Sequence, residues 1–333
     1  RSTCDIKACG AYKYSLDPTT EVLCLCYRLP YWEEGRVEVW TPEYASDPFE
    51  AFPELIDWVE SGEPVEAHNA WFERSIWTNI LVARFGFPAI APQQWRCSAA
   101  KAASHALPRS LKEANAALSL SVAKSESGHK LMLKLSKPRK PRKAEREAWQ
   151  KEHGGAPHPV LWWGSPEWTA ELIAYCKQDV LAEEALSEAL PDLSPDEQRI
   201  FEMDGTINER GFQLDGEAVT VALDLLGAEQ LRLNSRLYEL TEGLVERATQ
   251  RARLINWFGA QGLELYDTQK ATISETLAQG GHSTEVTEAL SILQALGKSS
   301  TAKYETMADW AAPDWRVRGG LLYHGATTGR WSG

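Results

Sequence analysis

Positive charge is scarce in this sequence: 35 lysines and arginines face 47 aspartates and glutamates, for a net charge of −12 and a pI near 5.2. That balance excludes a histone-like, wholly electrostatic nucleic-acid binder. It leaves room for an enzyme of nucleic acids, since metal sites need carboxylates and phosphate contacts can be local. Paired C-x-x-C spacing is also missing. The six cysteines, Cys4, Cys9, Cys24, Cys26, Cys97 and Cys176, argue against a zinc site and for reduced thiols in a cytoplasmic protein, although spacing alone leaves a disulfide open. No apolar run approaches the ~20 residues needed to span a bilayer, so no membrane partner is expected. No secretory leader is recognisable either.

What the 333 residues do hold is room for two domains, each large enough for its own core. Residues 21–29 and 36–40 alternate as a hairpin, and 65–68 and 95–98 read as further short strands. Between them, helical spacing covers 48–59 with Asp47 as N-cap, 73–85 with Ile76, Trp77, Ile80 and Leu81 inward, 99–105, and 110–117 with Ser110 and Glu113 as a capping box. Interleaved strands and helices predict an α/β layer architecture. A long helix over 167–189 follows, then the proline-punctuated linker 190–195, where the domain boundary is expected. Beyond it come a helix over 196–208, a turn and short strand at 210–214, and amphipathic helices marked by Leu223, Leu226, Leu231, Leu237 and Leu240, then by Leu254, Trp257 and Phe258.

Two stretches carry chemistry. Val65 to Glu73 reads as a buried strand that ends at Asn69, turns, and opens a helix with an acid in its first turn. Tyr175 and Asp179 stand four residues apart, one helical turn, so a phenol and a carboxylate share a face. Two such acids suit a shared divalent ion of the hard, oxygen-seeking kind, Mg²⁺ or Mn²⁺, because no histidine or cysteine cluster offers a softer site. Taken singly, Glu73 is equally readable as a solvent-facing helix acid. A third stretch, 124–159, is rich in basic residues, among them Lys134, Lys137, Arg139, Lys140, Arg142 and Lys143. It reads either as a solvated, partly disordered insertion or as a strip that guides DNA. Trp162, Trp163 and Trp168 are expected to pack it onto the rest of the domain.

Asn69, Phe72 and Glu73 resemble the second motif, Asn-x-x-Phe-Asp, of the proofreading 3′→5′ exonucleases with four metal-binding acids and a tyrosine; Tyr175 and Asp179 match the third, Tyr-x-x-x-Asp. Residues 196–333 resemble the start of a family A DNA polymerase of phage type. This rests on Asp204-x-x-Ile207-Asn208-x-Arg210-Gly211-Phe212 with Asp215, and on Thr327-Thr328-Gly329-Arg330-Trp331-Ser332. The resemblance implies a ribonuclease H-like, mixed-sheet exonuclease domain over 1–190. A mainly helical thumb and first palm segment would fill 196–333.

The same resemblance implies two Mg²⁺ or Mn²⁺ ions on Glu73 and Asp179, with Tyr175 orienting the nucleophilic water and Asn69 and Phe72 binding substrate. Lys298, Lys303 and Arg330 would contact DNA. The partners would be a single-stranded 3′ end, primer–template and dNTPs, in a phage-encoded or bacterial cytoplasmic protein. On this reading the chain is a fragment: the Asp-x-Glu of the first exonuclease strand is expected just before Arg1, and the palm acids beyond Gly333. Two alternatives stand beside it, a ribonuclease D-like exoribonuclease sharing Tyr-x-x-x-Asp, and a non-catalytic DNA-binding platform in which Glu73 marks lost metal chemistry.

Overall fold

The computed structural model describes residues 1–44, 48–120, 126–298, 301–326 and 328–333. The expected N-cap Asp47, Lys124 of the basic stretch and Thr327 of the C-terminal motif lie outside the described residues. The chain divides into two compact units, 1–213 with 310–333, and 214–309. The partition does not follow the linker at 190–195, for a visible reason. Leu193, Ile200, Phe201 and Tyr323 pack on the same core cluster as Trp40, Ile56, Trp77 and Trp95, which joins the stretch after the linker and the chain's end to the first unit.

That first unit is α/β. Helix α1 (Ile6–Leu16) is capped by the Asp5 carboxylate, which accepts from the Lys7 N–H at 3.0 Å. It is interrupted at Gly10, whose φ of 74° suits a residue without Cβ. Strands β1 (Leu25–Tyr27) and β2 (Glu38–Trp40) pair antiparallel, as the expected hairpin but only three residues long each. The stretch expected as one helix over 48–59 is split at Phe52-Pro53 into α2 (Pro48–Ala51) and α3 (Pro53–Glu60), because proline begins helices more readily than it continues them.

Strand β3 (Val65–Ala67) runs parallel to β4 (Trp95–Cys97). A parallel pair needs a crossover. Helix α4 (Trp71–Ile76), a π-helical turn (Trp77–Val82) and α5 (Ala83–Phe85) supply it, with Trp77, Ile80 and Leu81 buried as expected. Then come α6 (Ser98–Ser104) and α7 (Leu111–Ala117). Ser110 sits at the N-cap of α7, yet its side chain makes no capping bond, so the expected capping box is not formed.

The basic stretch is folded across its described residues. Helix α8 (Glu126–Leu135), strand β5 (Pro138–Arg139), helix α9 (Lys143–His153) and strand β6 (Leu161–Trp162), which pairs with β5, stand where one of the two readings had a partly disordered insertion. Aromatic side chains explain the order. Lys134 Nζ lies 4.8 Å and 3.7 Å from the ring centres of Trp163 and Trp168, both packed against buried Leu131, Leu135, Leu172 and Tyr175. Arg139 is held by a two-pronged bond to Glu145, both N···O distances 2.7 Å.

Helix α10 (Pro166–Glu188) runs against β1, α6, α7 and α8. Its start is specified by Ser165, which accepts from the Trp168 N–H at 3.2 Å, and by Pro166 in the first turn. Helix α11 (Pro195–Arg210) follows, and β7 (Phe212–Gln213) pairs with the later β8 (Arg316–Val317). The C-terminal residues fold back as a small hairpin joined at Leu322 and Ser332. Helix α11 grips it: Asn208 donates to the Leu321 carbonyl at 2.9 Å and accepts the Leu321 N–H at 2.8 Å, while Trp331 Nε1 donates to Asp204 at 2.7 Å.

The second unit is helical: α12 (Gly216–Leu240), α13 (Arg251–Ala260), α14 (Lys270–Gln279), α15 (Thr284–Leu296) and most of α16 (Ala302–Trp310). Leu233, Leu237, Leu254, Trp257, Phe258, Ile273, Val286 and Leu290 form its core. Leu254, Trp257 and Phe258 are buried as the spacing predicts. Leu231 is not: it is 70% exposed while Leu233 is buried, because two residues along a helix are roughly 200° apart around it. The buried stripe of α12 therefore runs through Leu233 and Leu237, off the line expected through Leu231.

Candidate functional site

The turn after β3 fixes the first candidate group. Asn69 takes φ of 69°, a left-handed conformation that asparagine tolerates better than most residues. Its carbonyl accepts the Phe72 N–H at 3.0 Å, which reverses the chain and starts α4 with Glu73 in the first turn. Phe72 lies against Tyr14 of α1, ring centres 6.2 Å apart, while Asn69 is exposed. Glu73 points inward. Its Oε2 is sealed from solvent and has no hydrogen-bond partner. Burial pushes this carboxyl up to about 8, against a partial lowering by a backbone N–H, and the charges of Glu183 and Cys176 push the same way as burial.

Helix α10 brings the other groups. Tyr175 is buried, with its hydroxyl closed to solvent, and Asp179 Oδ1 is equally inaccessible. Tyr175 is packed by α8 so closely that a Cβ on Gly128 would stand 2.3 Å from its ring. One turn beyond Asp179 stands Glu183, a residue that motif reading passes over. Its carboxyl accepts the Ser98 hydroxyl at 2.9 Å, and burial pushes it up to about 7, with the charges of Glu66 and Asp179 adding to the rise. The spacing Tyr175, Asp179, Glu183 is itself a signal, three polar groups at four-residue intervals on one helical face.

A polar chain runs away from Glu183. The Ser98 oxygen lies 2.9 Å from His68 Nδ1, and His68 Nε2 lies 2.8 Å from the Arg109 carbonyl. A carbonyl only accepts, so the Nε2 position carries a hydrogen. His68 thereby links the end of β3 to the loop before α7. Ser187, one turn further along α10, donates to Glu66 at 2.6 Å, and Lys101 of α6 donates to the Ser187 carbonyl at 2.7 Å.

Glu73 and Asp179 are thus brought into one electrostatic neighbourhood, each interacting with Glu183. A solvent-sealed carboxylate oxygen without a donor, among other hard oxygen groups, fits a divalent cation of the Mg²⁺ or Mn²⁺ class. The three carboxylates do not close to within 4.8 Å of one another; among the described residues the group that does is Cys24, Cys26 and Cys176.

The remaining candidates lie elsewhere. Lys298 and Lys303 are exposed at the end of the helical unit. Arg330 is exposed in the C-terminal hairpin of the α/β unit, its Nε donating to Thr328 at 3.2 Å, while the motif neighbours Asp204, Asn208 and Trp331 serve to hold that hairpin. No helix among the described residues is long and apolar enough to cross a membrane.

The chain is similar over its whole length to a phage DNA polymerase. That relative, the DNA polymerase of Bacillus phage SP02, is 30% identical over 337 aligned residues, which take in 100% of this chain and 48% of the relative. The chain therefore spans about half the length of the curated relative it matches. No protein-family model matches it. The expected likeness to a phage-type polymerase is borne out at this level.

Proposed function

We propose that this chain is the proofreading part of a family A DNA polymerase: a 3′→5′ exonuclease domain of ribonuclease H-like fold over 1–190, leading into the thumb and first palm segment over 196–333. The observation that carries this reading is the sealed Oε2 of Glu73, an oxygen without a hydrogen-bond donor, set in the Asn-x-x-Phe-Glu turn and sharing a charged neighbourhood with Asp179 of the Tyr-x-x-x-Asp helix. A buried ionisable group in such a state costs stability and is found where function requires it.

Glu73 and Asp179 would hold Mg²⁺ or Mn²⁺, and a pair of such ions, when bound, supplies a hydroxide nucleophile at neutral pH and offsets charge on the leaving 3′ oxygen. The Tyr175 hydroxyl orients the attacking water by hydrogen bonding. Asn69 and Phe72, at the head of α4, receive the terminal nucleotide. A mispaired primer end frays at little cost and enters as a single strand, so the mismatched 3′ nucleotide is removed in preference to a paired one. Lys298, Lys303 and Arg330 meet phosphates of the primer–template, and dNTPs are substrates of the polymerase as a whole.

The decisive experiment is degradation of 3′-labelled single-stranded DNA with Mg²⁺ or Mn²⁺ by this sequence within its full-length protein, beside Asp179→Ala. Stepwise shortening that disappears in the variant supports the reading. Absence of shortening from a folded protein refutes it in favour of a non-catalytic DNA-binding platform.

A further inference from the structure

Strand β1 and helix α10 bring together three thiols that the proposed hydrolysis does not use. Cys24 and Cys26 stand two residues apart on the extended segment that includes β1, and a period of two turns both side chains to the same side. Helix α10 packs there and supplies Cys176, and the three Sγ atoms all lie within 4.8 Å of one another. Cys26 is buried, the other two are half-buried, and all three are free thiols. The Cys26 thiol also leans on α10 directly, its sulfur 4.0 Å from the Ile173 carbonyl oxygen.

We propose that Cys24, Cys26 and Cys176 form a thiolate site for a soft divalent d¹⁰ cation of the Zn²⁺ type, with the fourth position left to solvent. Sulfur selects soft cations over Mg²⁺ or Ca²⁺. Zinc–sulfur bonds of ~2.3 Å in a tetrahedron put the sulfurs roughly 3.8 Å apart, so a small inward rotation of the side chains closes the site. Charge chooses the divalent ion over a monovalent one. Three thiolates with a dication leave one negative charge, with a monocation two. Binding releases the thiol protons to solvent, and affinity rises with pH accordingly.

The position gives the ion a structural consequence. It ties β1 to α10 at the residue next to Tyr175, three positions before Asp179, and so fixes the helix that carries both. The site stands on the sulfur geometry alone and does not depend on the hydrolytic reading.

The test is titration of the reduced full chain with Cd²⁺, followed by the ultraviolet thiolate-to-cadmium band and by displacement with Zn²⁺ against a chromophoric chelator. The expected result is a band saturating at one equivalent, with affinity at least tenfold weaker in Cys24→Ser and Cys176→Ser and unchanged in Cys4→Ser. No band at one equivalent, or equal affinity in those two variants, overturns the proposal. A measurement on the unsubstituted chain guards against misfolded variants: Zn²⁺ should slow alkylation of Cys24, Cys26 and Cys176 at least tenfold, mapped by mass spectrometry, and equal alkylation with and without Zn²⁺ overturns the site.

Discussion

The two compact units differ in what they bury. The helical unit, 214–309, encloses leucine, isoleucine, tryptophan and phenylalanine, and its buried Thr241 and Thr276 return their hydroxyls to helix carbonyls at 2.9 Å and 2.8 Å. Its ionic bonds are at the surface, as in Arg236 with Glu288. The α/β unit encloses an apolar core too, but beside it lie two carboxyls pushed up towards neutrality, three converging thiols and a buried phenol. An apolar interior is explained by folding alone. A polar interior that raises its own carboxyls is not, and perturbed groups of this kind cluster at functional sites.

Activity gives the largest contrast. In the full-length protein, Asp179→Ala should lower 3′ shortening of single-stranded DNA by roughly 10²–10⁴-fold, measured by gel, while a core change in the helical unit should leave the rate per folded molecule unchanged. Stability comes next. Phe258→Ala in the helical unit should cost about 3–5 kcal/mol by denaturant unfolding, equally at acid and alkaline pH, because nothing ionisable is involved.

Glu73→Gln should do the opposite in the α/β unit. Its carboxyl goes from an ordinary 4.5 when unfolded to about 8 when folded, so the folded state holds the proton more tightly. Stability is then highest below about 4.5 and declines as pH rises through about 8. The glutamine variant lacks this decline and should exceed the parent by on the order of a few kcal/mol at alkaline pH, with the gap closing in acid. A constant gap across pH would break the distinction between the two interiors. The smallest effect concerns the surface: neutralising the exposed Lys137, Lys140, Arg142 and Lys143 should weaken single-strand DNA binding and flatten its log–log salt slope by roughly 0.7 for each phosphate left without its cation.

Much of the candidate site's local geometry was legible because it is local. Asn69, Phe72 and Glu73 lie within one turn and its following helix, and Tyr175 with Asp179 within one helical repeat, so sequence spacing is already spatial spacing. The core of the helical unit was legible at Leu254, Trp257 and Phe258 for the same reason. What escaped is long-range. Cys24 and Cys26 meet Cys176 only because β1 packs on α10, and no spacing rule links residues so far apart in the chain. For the basic stretch, the packing role expected of Trp163 and Trp168 was legible, but the cation–ring contacts that Lys134 makes with both were not, because they join residues some thirty positions apart. Glu183 was within reach, as the next member of a four-residue series, but it belongs to no motif.

Gly128 has a consequence in time. With a Cβ there 2.3 Å from the Tyr175 ring, helix α8 seats on the phenol only because this position carries no side chain. A side chain at this position would push α8 off the Tyr175 ring, so Gly128→Ala should loosen the helix, read as faster amide hydrogen exchange along Glu126–Leu135.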